Sequence, residues 1–183
     1  MQFIKKNLST DMIEDNVFKV VNLAKIAKQR NPEGVVDATI GSLFDEEGRL
    51  VALNTVFDVY NQLPNTDKAA YAQGFAGNKD YLEWINKEIV GNAHFSLPHQ
   101  AIATVGGSGA ISLALSTTLE AKDSVIAPNI AWGSYKLMAE NLNLGYETYN
   151  LLDENHFDLT SFKETCLRVA EKQDKLFIII NDP

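Results

Sequence analysis

The sequence predicts an α/β fold, in which a mostly parallel sheet is flanked by helices and preceded by an N-terminal helical arm. From residue 99 onward, strand and helix patterns alternate strictly, which is typical of a parallel sheet covered by helices. Segments 123–128 and 175–180 are apolar on both faces, as buried parallel strands are. A glycine-rich turn at 106–109 lies where a strand gives way to a helix, and ligands of such sheets bind at the carboxyl ends of strands.

The segment before residue 99 is predicted to be mainly helical. Apolar residues at three- and four-residue spacing indicate an amphipathic helix over 13–30. A short strand at 35–40 and a polar turn from Gly41 to Gly48 are expected next. The remaining elements there are a helix near 52–61, a loop-rich stretch over 62–77 and a helix over 78–91. We expect residues 1–60 to form an arm and part of a small domain, and residues 61–183 to begin a larger domain.

The second segment has a regular order of elements. Its predicted strands are 99–105, 123–128, 146–150 and 175–180, and its predicted helices are 109–120, 133–143 and 158–172. The last strand runs into Asn181-Asp182-Pro183, where the sequence stops. A strand this apolar belongs in the middle of a sheet, so we expect the chain to be an incomplete domain.

Composition and charge exclude several classes of function. The net charge of −8 argues against nucleic acid or an anionic membrane surface as the main partner, since both require a basic patch. No apolar stretch reaches the ~18 residues of a membrane span. The single cysteine, Cys166, fits a reducing compartment, so a cytoplasmic location is predicted. The three histidines share no metal-site spacing, and no metal is expected.

The glycine-rich turn indicates a phosphate site. Gly106, Gly107 and Gly109 let the backbone approach a ligand closely, the helix start favours an anion, and Ser108 adds a hydroxyl. The alternative interpretation is a plain turn capped by Ser108. A Walker loop is rejected because Ala110-Ile111 follows the last glycine, and Ser112 stands where a dinucleotide fingerprint has its third glycine. A nucleotide-binding Rossmann domain is therefore the weaker alternative.

Two aromatic residues are candidates for ligand contact. Trp132 opens a helix just after a strand, where an indole can stack on a flat heterocycle whose phosphate the neighbouring turn holds. The alternative is a tryptophan that packs at the rim of the core. Tyr71 lies in a loop rich in small residues, and it either packs locally or directs its hydroxyl into a site.

On these residues the chain resembles the fold type I pyridoxal-phosphate enzymes, close to the class I aromatic and aspartate aminotransferases. Ile40 to Gly48 resembles the family's early Gly segment and its Asp-Glu-x-Gly turn, and Tyr71 to Gly77 resembles the loop whose tyrosine reaches the neighbouring subunit's cofactor phosphate. Gly107 to Ala110 resembles the Ser-Gly-Thr-Gly-Ala phosphate loop, with Ser108 at the threonine and Gly106 at a usual serine. Trp132-Gly133 matches the Trp-Gly pair whose indole stacks on the pyridine ring.

The resemblance implies pyridoxal 5'-phosphate as the cofactor. It places Gly107, Ser108, Gly109, Trp132 and Tyr71 at the cofactor, and Gly41 at the substrate. It further implies a homodimer that moves an amino group between an amino acid and a 2-oxo acid.

The same resemblance limits what the chain can be assigned. The family's cofactor-binding lysine, the aspartate at the pyridine nitrogen and the carboxylate-binding arginine all come later, so no catalytic residue is assigned here. We expect the N-terminal half of the enzyme, inactive alone. A lyase or decarboxylase of the same fold and a non-catalytic phosphate-ligand-binding domain remain alternatives.

Overall fold

The structure of the chain is a computed structural model that describes residues 16–91 and 98–181. Two compact units make up the chain, Met1–Tyr71 and Ala72–Pro183. The assignment of residues 1–60 to an arm and of residues 61–183 to a cofactor-binding domain stays a prediction. Among the described residues, no helix has both the length and the apolar character needed to cross a membrane.

The described part of the first unit contains three helices, α1 (Asn16–Arg30), α2 (Asn54–Gln62) and α3 (Asn65–Ala69). The helices predicted at 13–30 and 52–61 are confirmed within their described parts, whereas α3 lies in a stretch that we expected to be loop. The strand predicted at 35–40 is wrong, because residues 35–38 have no regular secondary structure and residues 39–40 form a bend. Val36 is 92% exposed, so this apolar segment has neither a buried face nor a partner strand to make it a strand.

The polar turn that follows is confirmed and is held by its own side chains. Phe44 and Leu50 form an antiparallel bridge. Between them, the Asp45 carboxylate accepts a hydrogen bond from the Arg49 amide at 2.8 Å and pairs with Arg49 Nε at 2.8 Å. These bonds lower the pKa of Asp45 below its ordinary value, with the backbone hydrogen bond from Arg49 as the largest cause. Gly48 closes the turn with φ of +76°, a conformation that favours glycine.

The second unit contains the parallel sheet. Its helices are α4 (Lys79–Val90), α5 (Gly106–Thr118), α6 (Ser134–Asn141) and α7 (Leu159–Ala170), and its strands are β1 (Ser124–Pro128), β2 (Gly145–Tyr149), β3 (Leu152–Asp153), β4 (His156–Phe157) and β5 (Phe177–Ile178). The order in the three-stranded sheet is β2-β1-β5, and both pairings are parallel. Strands β3 and β4 form a separate antiparallel hairpin. The α/β class with a mostly parallel sheet is therefore confirmed.

Helices cover both faces of this sheet. Val125 packs on one face with Leu115 of α5, with Leu119 just after that helix and with Ala139 of α6. Its neighbour Ile126 points to the other face and packs with Val169 of α7. The chain passes from β1 to β2 and then back across β1 to β5, so right-handed crossovers require α6 and α7 to lie on opposite faces. Because successive side chains of β1 point to opposite faces, helices pack on both sides of the sheet. The result is a three-layer arrangement with β1 at its centre.

The strand predicted at 99–105 is the second error in the predicted elements. Residues 98–104 carry no strand assignment, and Ile102 is 52% exposed. One backbone hydrogen bond, from the Ala103 amide to the Ala76 carbonyl at 2.6 Å, joins this segment to the loop before α4. A single such bond does not make a ladder. The predicted helix at 109–120 is confirmed but begins earlier, at Gly106.

Candidate functional site

The carboxyl edge of the sheet brings polar side chains together. Asn129 follows β1 and donates from Nδ2 to Asn150 Oδ1, just after β2, at 3.3 Å. Its Oδ1 accepts from the Leu151 amide at 3.0 Å. Asn181, after β5, accepts at Oδ1 from the backbone amide of Trp132 at 3.4 Å. These side chains therefore tie the ends of β1, β2 and β5 into one edge.

The first turn of α5 is built to leave backbone amides without helical partners. The N-cap residue, Val105, provides no side-chain cap, and the first amide to find a carbonyl four residues earlier is that of Gly109, which donates to Val105 at 3.1 Å. Within the described residues, the amides of Gly107 and Ser108 make no hydrogen bond. Gly106 has φ of +65°, which turns the chain into the helix. Such amides at the positive end of a helix dipole are suited to an anion.

The space around this turn is open. A Cβ atom placed on Gly106 or Gly107 would meet no atom within 4 Å, and Ser108 is exposed. Gly109, in contrast, would place a Cβ 3.4 Å from the Val105 side chain, so its role in this structure includes close packing. The turn can therefore receive a phosphate group over Gly107 and Ser108 without displacing protein atoms.

Packing places this turn at the carboxyl edge. Helix α5 ends at Thr118, shortly before β1 begins at Ser124, and it packs on Val125 through Leu115. It therefore runs antiparallel to β1. Its 13 residues span ~20 Å and the five of β1 span ~17 Å, so its first turn lies near the level of the end of β1.

Trp132 lies in the connection between β1 and α6, at the same edge. Its side chain is 44% exposed. The Tyr135 ring packs edge-on against it, with the ring centroids 5.4 Å apart and the planes at 88°. An edge-on neighbour fixes the indole plane, and the exposed fraction leaves surface on which a flat heterocycle can stack. A tryptophan that packs at the rim of the core would also be partly exposed, so the stacking role of Trp132 stays a prediction.

Tyr71 and Gly41 lie in the first unit. Tyr71 is 94% exposed. Gly41 lies in a shallow groove of about 460 Å³, which it shares with Asp37, Ile40 and Phe44 among others. A Cβ atom on Gly41 would meet no atom within 4 Å. Their roles at cofactor and substrate therefore stay predictions.

The chemistry available at the edge is binding and orientation. The described groups that meet there are backbone amides, asparagine amides, hydroxyls and an indole. Tyr149 ends β2 beneath the edge, and burial raises the pKa of its phenol above the ordinary value, with Cys166 as a smaller cause. It therefore stays neutral at physiological pH. No cluster of metal-ligating side chains occurs in the described ranges 16–91 and 98–181.

Sequence reasoning missed Tyr135 and Asn150. The two aromatic residues Trp132 and Tyr135 lie three positions apart, which was a usable signal, although Trp132 precedes α6 and only Tyr135 lies in it. Asn150 gave no comparable signal, since its partner Asn129 is remote in the chain.

The chain is similar in sequence and in fold to known proteins. The family model described as Aminotransferase class I and II matches residues 56–183. The crystal structure of an aminotransferase from Anaerococcus prevotii DSM 20548 is 27% identical with a TM-score of 0.89, and the match covers 100% of this chain and 45% of that one. This chain thus spans under half the length of that relative.

Two further structures share the fold at lower identity. Aspartate aminotransferase from the cytoplasm of Saccharomyces cerevisiae is 19% identical with a TM-score of 0.64, over 91% of this chain and 41% of that one. A double mutant of Thermus thermophilus aspartate aminotransferase is 22% identical with a TM-score of 0.66, over 90% of this chain and 42% of that one. No curated protein matches the chain. With a family model that covers most of its length, the chain belongs to the class I and II aminotransferase family.

Proposed function

We propose that this chain is the cofactor-anchoring part of a pyridoxal-phosphate-dependent aminotransferase, which moves an amino group between an amino acid and a 2-oxo acid. The observation that carries the proposal is the pairing of two features at one sheet edge. One is a helix start with unpartnered amides at Gly107 and Ser108, and the other is the exposed, oriented indole of Trp132.

The helix start would hold the phosphate. The amides of Gly107 and Ser108 would donate to phosphate oxygens, the Ser108 hydroxyl would add a third donor, and Gly109 would keep the turn close-packed. The missing Cβ atom at Gly107 matters most, because a side chain there would occupy the space above the amides. Tyr71 would add its hydroxyl to the phosphate of the neighbouring subunit's cofactor, which is why we propose a homodimer.

The indole of Trp132 would support the pyridine ring. Stacking fixes the plane of the ring without forming a bond to it, and Gly133 beside Trp132 leaves open space, since a Cβ atom there would meet nothing within 4 Å. When bound, pyridoxal phosphate supplies an electron sink for the substrate's α-carbon, and the protein supplies binding and orientation. Gly41 would leave room beside the substrate.

Proton transfer requires a group that the described edge does not contain. Amides, hydroxyls and an indole are poor general bases at neutral pH, so we expect the 183-residue chain to bind cofactor but not to transaminate. We further propose a cytoplasmic location, supported by Cys166, a single free thiol that has no partner cysteine in the sequence and needs no oxidising compartment.

Fluorescence titration with pyridoxal 5'-phosphate tests the proposal. The two tryptophans of the chain, Trp84 on α4 and Trp132, are 57% and 44% exposed, so Trp84→Phe and Trp132→Phe are matched variants. We expect the cofactor to quench the Trp84→Phe variant, which retains Trp132, at concentrations that leave the Trp132→Phe variant unchanged. Pyridoxal without its phosphate should bind more weakly.

Equal quenching of the two variants would overturn the proposed site. A product assay on the protein isolated from its source then tests the activity. A new amino acid formed from a 2-oxo acid supports transamination, whereas release of carbon dioxide or elimination products would replace it with a decarboxylase or lyase of the same fold.

A further inference from the structure

Asn181 joins the last strand of the sheet to the segment that carries Trp132. Its Oδ1 accepts two hydrogen bonds, one from the Trp132 backbone amide at 3.4 Å and one from the Tyr135 hydroxyl at 3.2 Å. Asn181 follows β5, while Trp132 lies just before α6 and Tyr135 lies in its first turn. One side-chain oxygen thus connects two elements that are remote in the chain.

The contacts form a closed set of three residues. Tyr135 reaches Asn181 with its hydroxyl and packs the indole of Trp132 with its ring, 5.4 Å away and nearly perpendicular. The backbone amide of Trp132 also donates to Asn181, which is the third contact of the set. Rotation of the indole would therefore disturb the Tyr135 ring, and loss of Asn181 would free Tyr135 as well as the Trp132 backbone.

We propose that Asn181 is a positioning residue for Trp132, which holds the indole plane ready for a flat heterocycle before the ligand arrives. This inference rests on the proposed function, since the heterocycle is the pyridine ring of the cofactor. Of the two bonds, the one from the Tyr135 hydroxyl is the shorter, and the 3.4 Å bond from the Trp132 amide is near the outer limit for a hydrogen bond. Tyr135 is therefore the main link between Asn181 and the indole.

The location of these groups favours positioning over general stabilisation. The Asn129 side chain ties strand ends at the same edge through hydrogen bonds to Asn150 and Leu151. Asn181, in contrast, bonds directly to the residue that orients the indole. An Asn129→Ala variant is therefore a matched control, because it removes an edge asparagine that has no bond to Trp132 or Tyr135.

The experiment uses the Trp84→Phe chain, in which Trp132 is the remaining tryptophan. Acrylamide quenching without ligand measures the accessibility of the indole, and titration with pyridoxal 5'-phosphate measures affinity. We expect Asn181→Ala and Tyr135→Phe to raise the quenching constant by ~1.5- to 2-fold and to weaken affinity by roughly 3- to 10-fold, the size of one lost hydrogen bond. Asn129→Ala should lower the melting temperature but should change neither the quenching constant nor the affinity.

Asn181→Asp serves as the conservative variant. It keeps an acceptor oxygen for both donors and should restore the quenching constant of the unsubstituted protein. The affinity of this variant for pyridoxal 5'-phosphate should still fall, because the added negative charge would repel the phosphate.

Two results would overturn the inference. One is a quenching constant and affinity unaffected by Asn181→Ala, and the other is an Asn181→Ala variant that loses thermal stability alone, as Asn129→Ala does. If the unsubstituted chain binds no pyridoxal 5'-phosphate, the proposed function fails, and acrylamide quenching still decides whether Asn181 orders the indole.

Discussion

Gln173 holds Ser124 by both ends of its amide, accepting from the Ser124 amide at 2.6 Å and donating to the Ser124 carbonyl at 3.0 Å. The same Nε2 also donates to the Lys175 carbonyl at 2.7 Å. The Gln173 side chain, which follows α7, thus provides hydrogen-bond partners for the backbone of Ser124, the first residue of β1. This contact lies at the sheet edge opposite the candidate site.

Gln173→Ala should therefore destabilise the fold. Removal of the amide leaves the partly buried backbone groups of Ser124 without partners, and we expect the free energy of unfolding to fall by about 1–3 kcal/mol. Urea unfolding followed by circular dichroism measures it. Lys172→Ala, one residue away, should change it by less than about 0.5 kcal/mol, and equal effects of the two variants would contradict the role of Gln173.

Gly107→Ala should separate binding from stability. Its Cβ atom would meet no protein atom within 4 Å, so the free energy of unfolding should stay the same or rise by up to about 1 kcal/mol through better helix propensity. The methyl group would occupy the space proposed for the phosphate, and the affinity for pyridoxal 5'-phosphate should fall. The affinity for pyridoxal, which has no phosphate, should not change. Undiminished affinity for the phosphate form would place the anion elsewhere.

Gly145→Ala should weaken the pairing of β1 with β2. Gly145 is paired with Ser124, and a Cβ atom on it would overlap Ser124 Oγ and lie 3.2 Å from Ser124 Cβ. We expect a loss of about 1–3 kcal/mol in the free energy of unfolding. Ser124→Ala in the same chain should recover part of the loss, since it removes the overlapping oxygen. An absence of recovery would indicate that backbone strain, and not the hydroxyl, is responsible.

Alkaline pH should destabilise the second unit. Burial raises the pKa values of Tyr146 and Tyr149 above 10.0 and that of Cys166 above 9.0, so the folded chain retains protons that the unfolded chain releases. The contribution of these groups to the free energy of unfolding should be constant below about pH 9. It should be lost as the pH rises through their pKa values. Urea midpoints across this range measure the fall. Replacement of both tyrosines by phenylalanine should make it shallower, and an unchanged slope would contradict the assignment.

Tyr71→Phe should leave the fold intact. Tyr71 is 94% exposed, so the free energy of unfolding should change by less than about 0.5 kcal/mol. In the dimer that we propose, loss of the hydroxyl should weaken binding of pyridoxal 5'-phosphate severalfold. Tyr81→Phe, at a half-exposed tyrosine of α4, is the control. Equal affinities of the two variants for pyridoxal 5'-phosphate would show that Tyr71 does not contact the cofactor.

Secondary structure was predicted correctly where a segment with the right local pattern also packs against other elements of the fold. Segment 123–128 is apolar on both faces and lies between two strands and two helical layers, so β1 formed where predicted. Segments 35–40 and 99–105 have a similar local pattern but no ladder. Strand formation depends on a neighbouring strand, which a local pattern does not reveal.

The same distinction applies to the candidate site. The candidate Trp132 follows from its position after β1, because parallel strands bring such positions to one edge. The candidates Gly107 and Ser108 follow from the glycine-rich start of a helix, although residues 98–104 before them form no strand. The bond from Tyr135 to Asn181 joins residues far apart in the chain, and hydroxyl and amide groups are too common for their pairing to be predicted.

The central position of β1 has a consequence for folding during synthesis. Val125 pairs with Tyr146, which is made soon afterwards, and with Phe177, which is made much later. As the chain leaves the ribosome, we therefore expect β1 and β2 to pair first, with the other side of β1 waiting for β5. Proteolysis of ribosome-stalled chains that end before and after Phe177 would detect this order. The Trp132 segment would then acquire its contact with Asn181 only after β5 has been made.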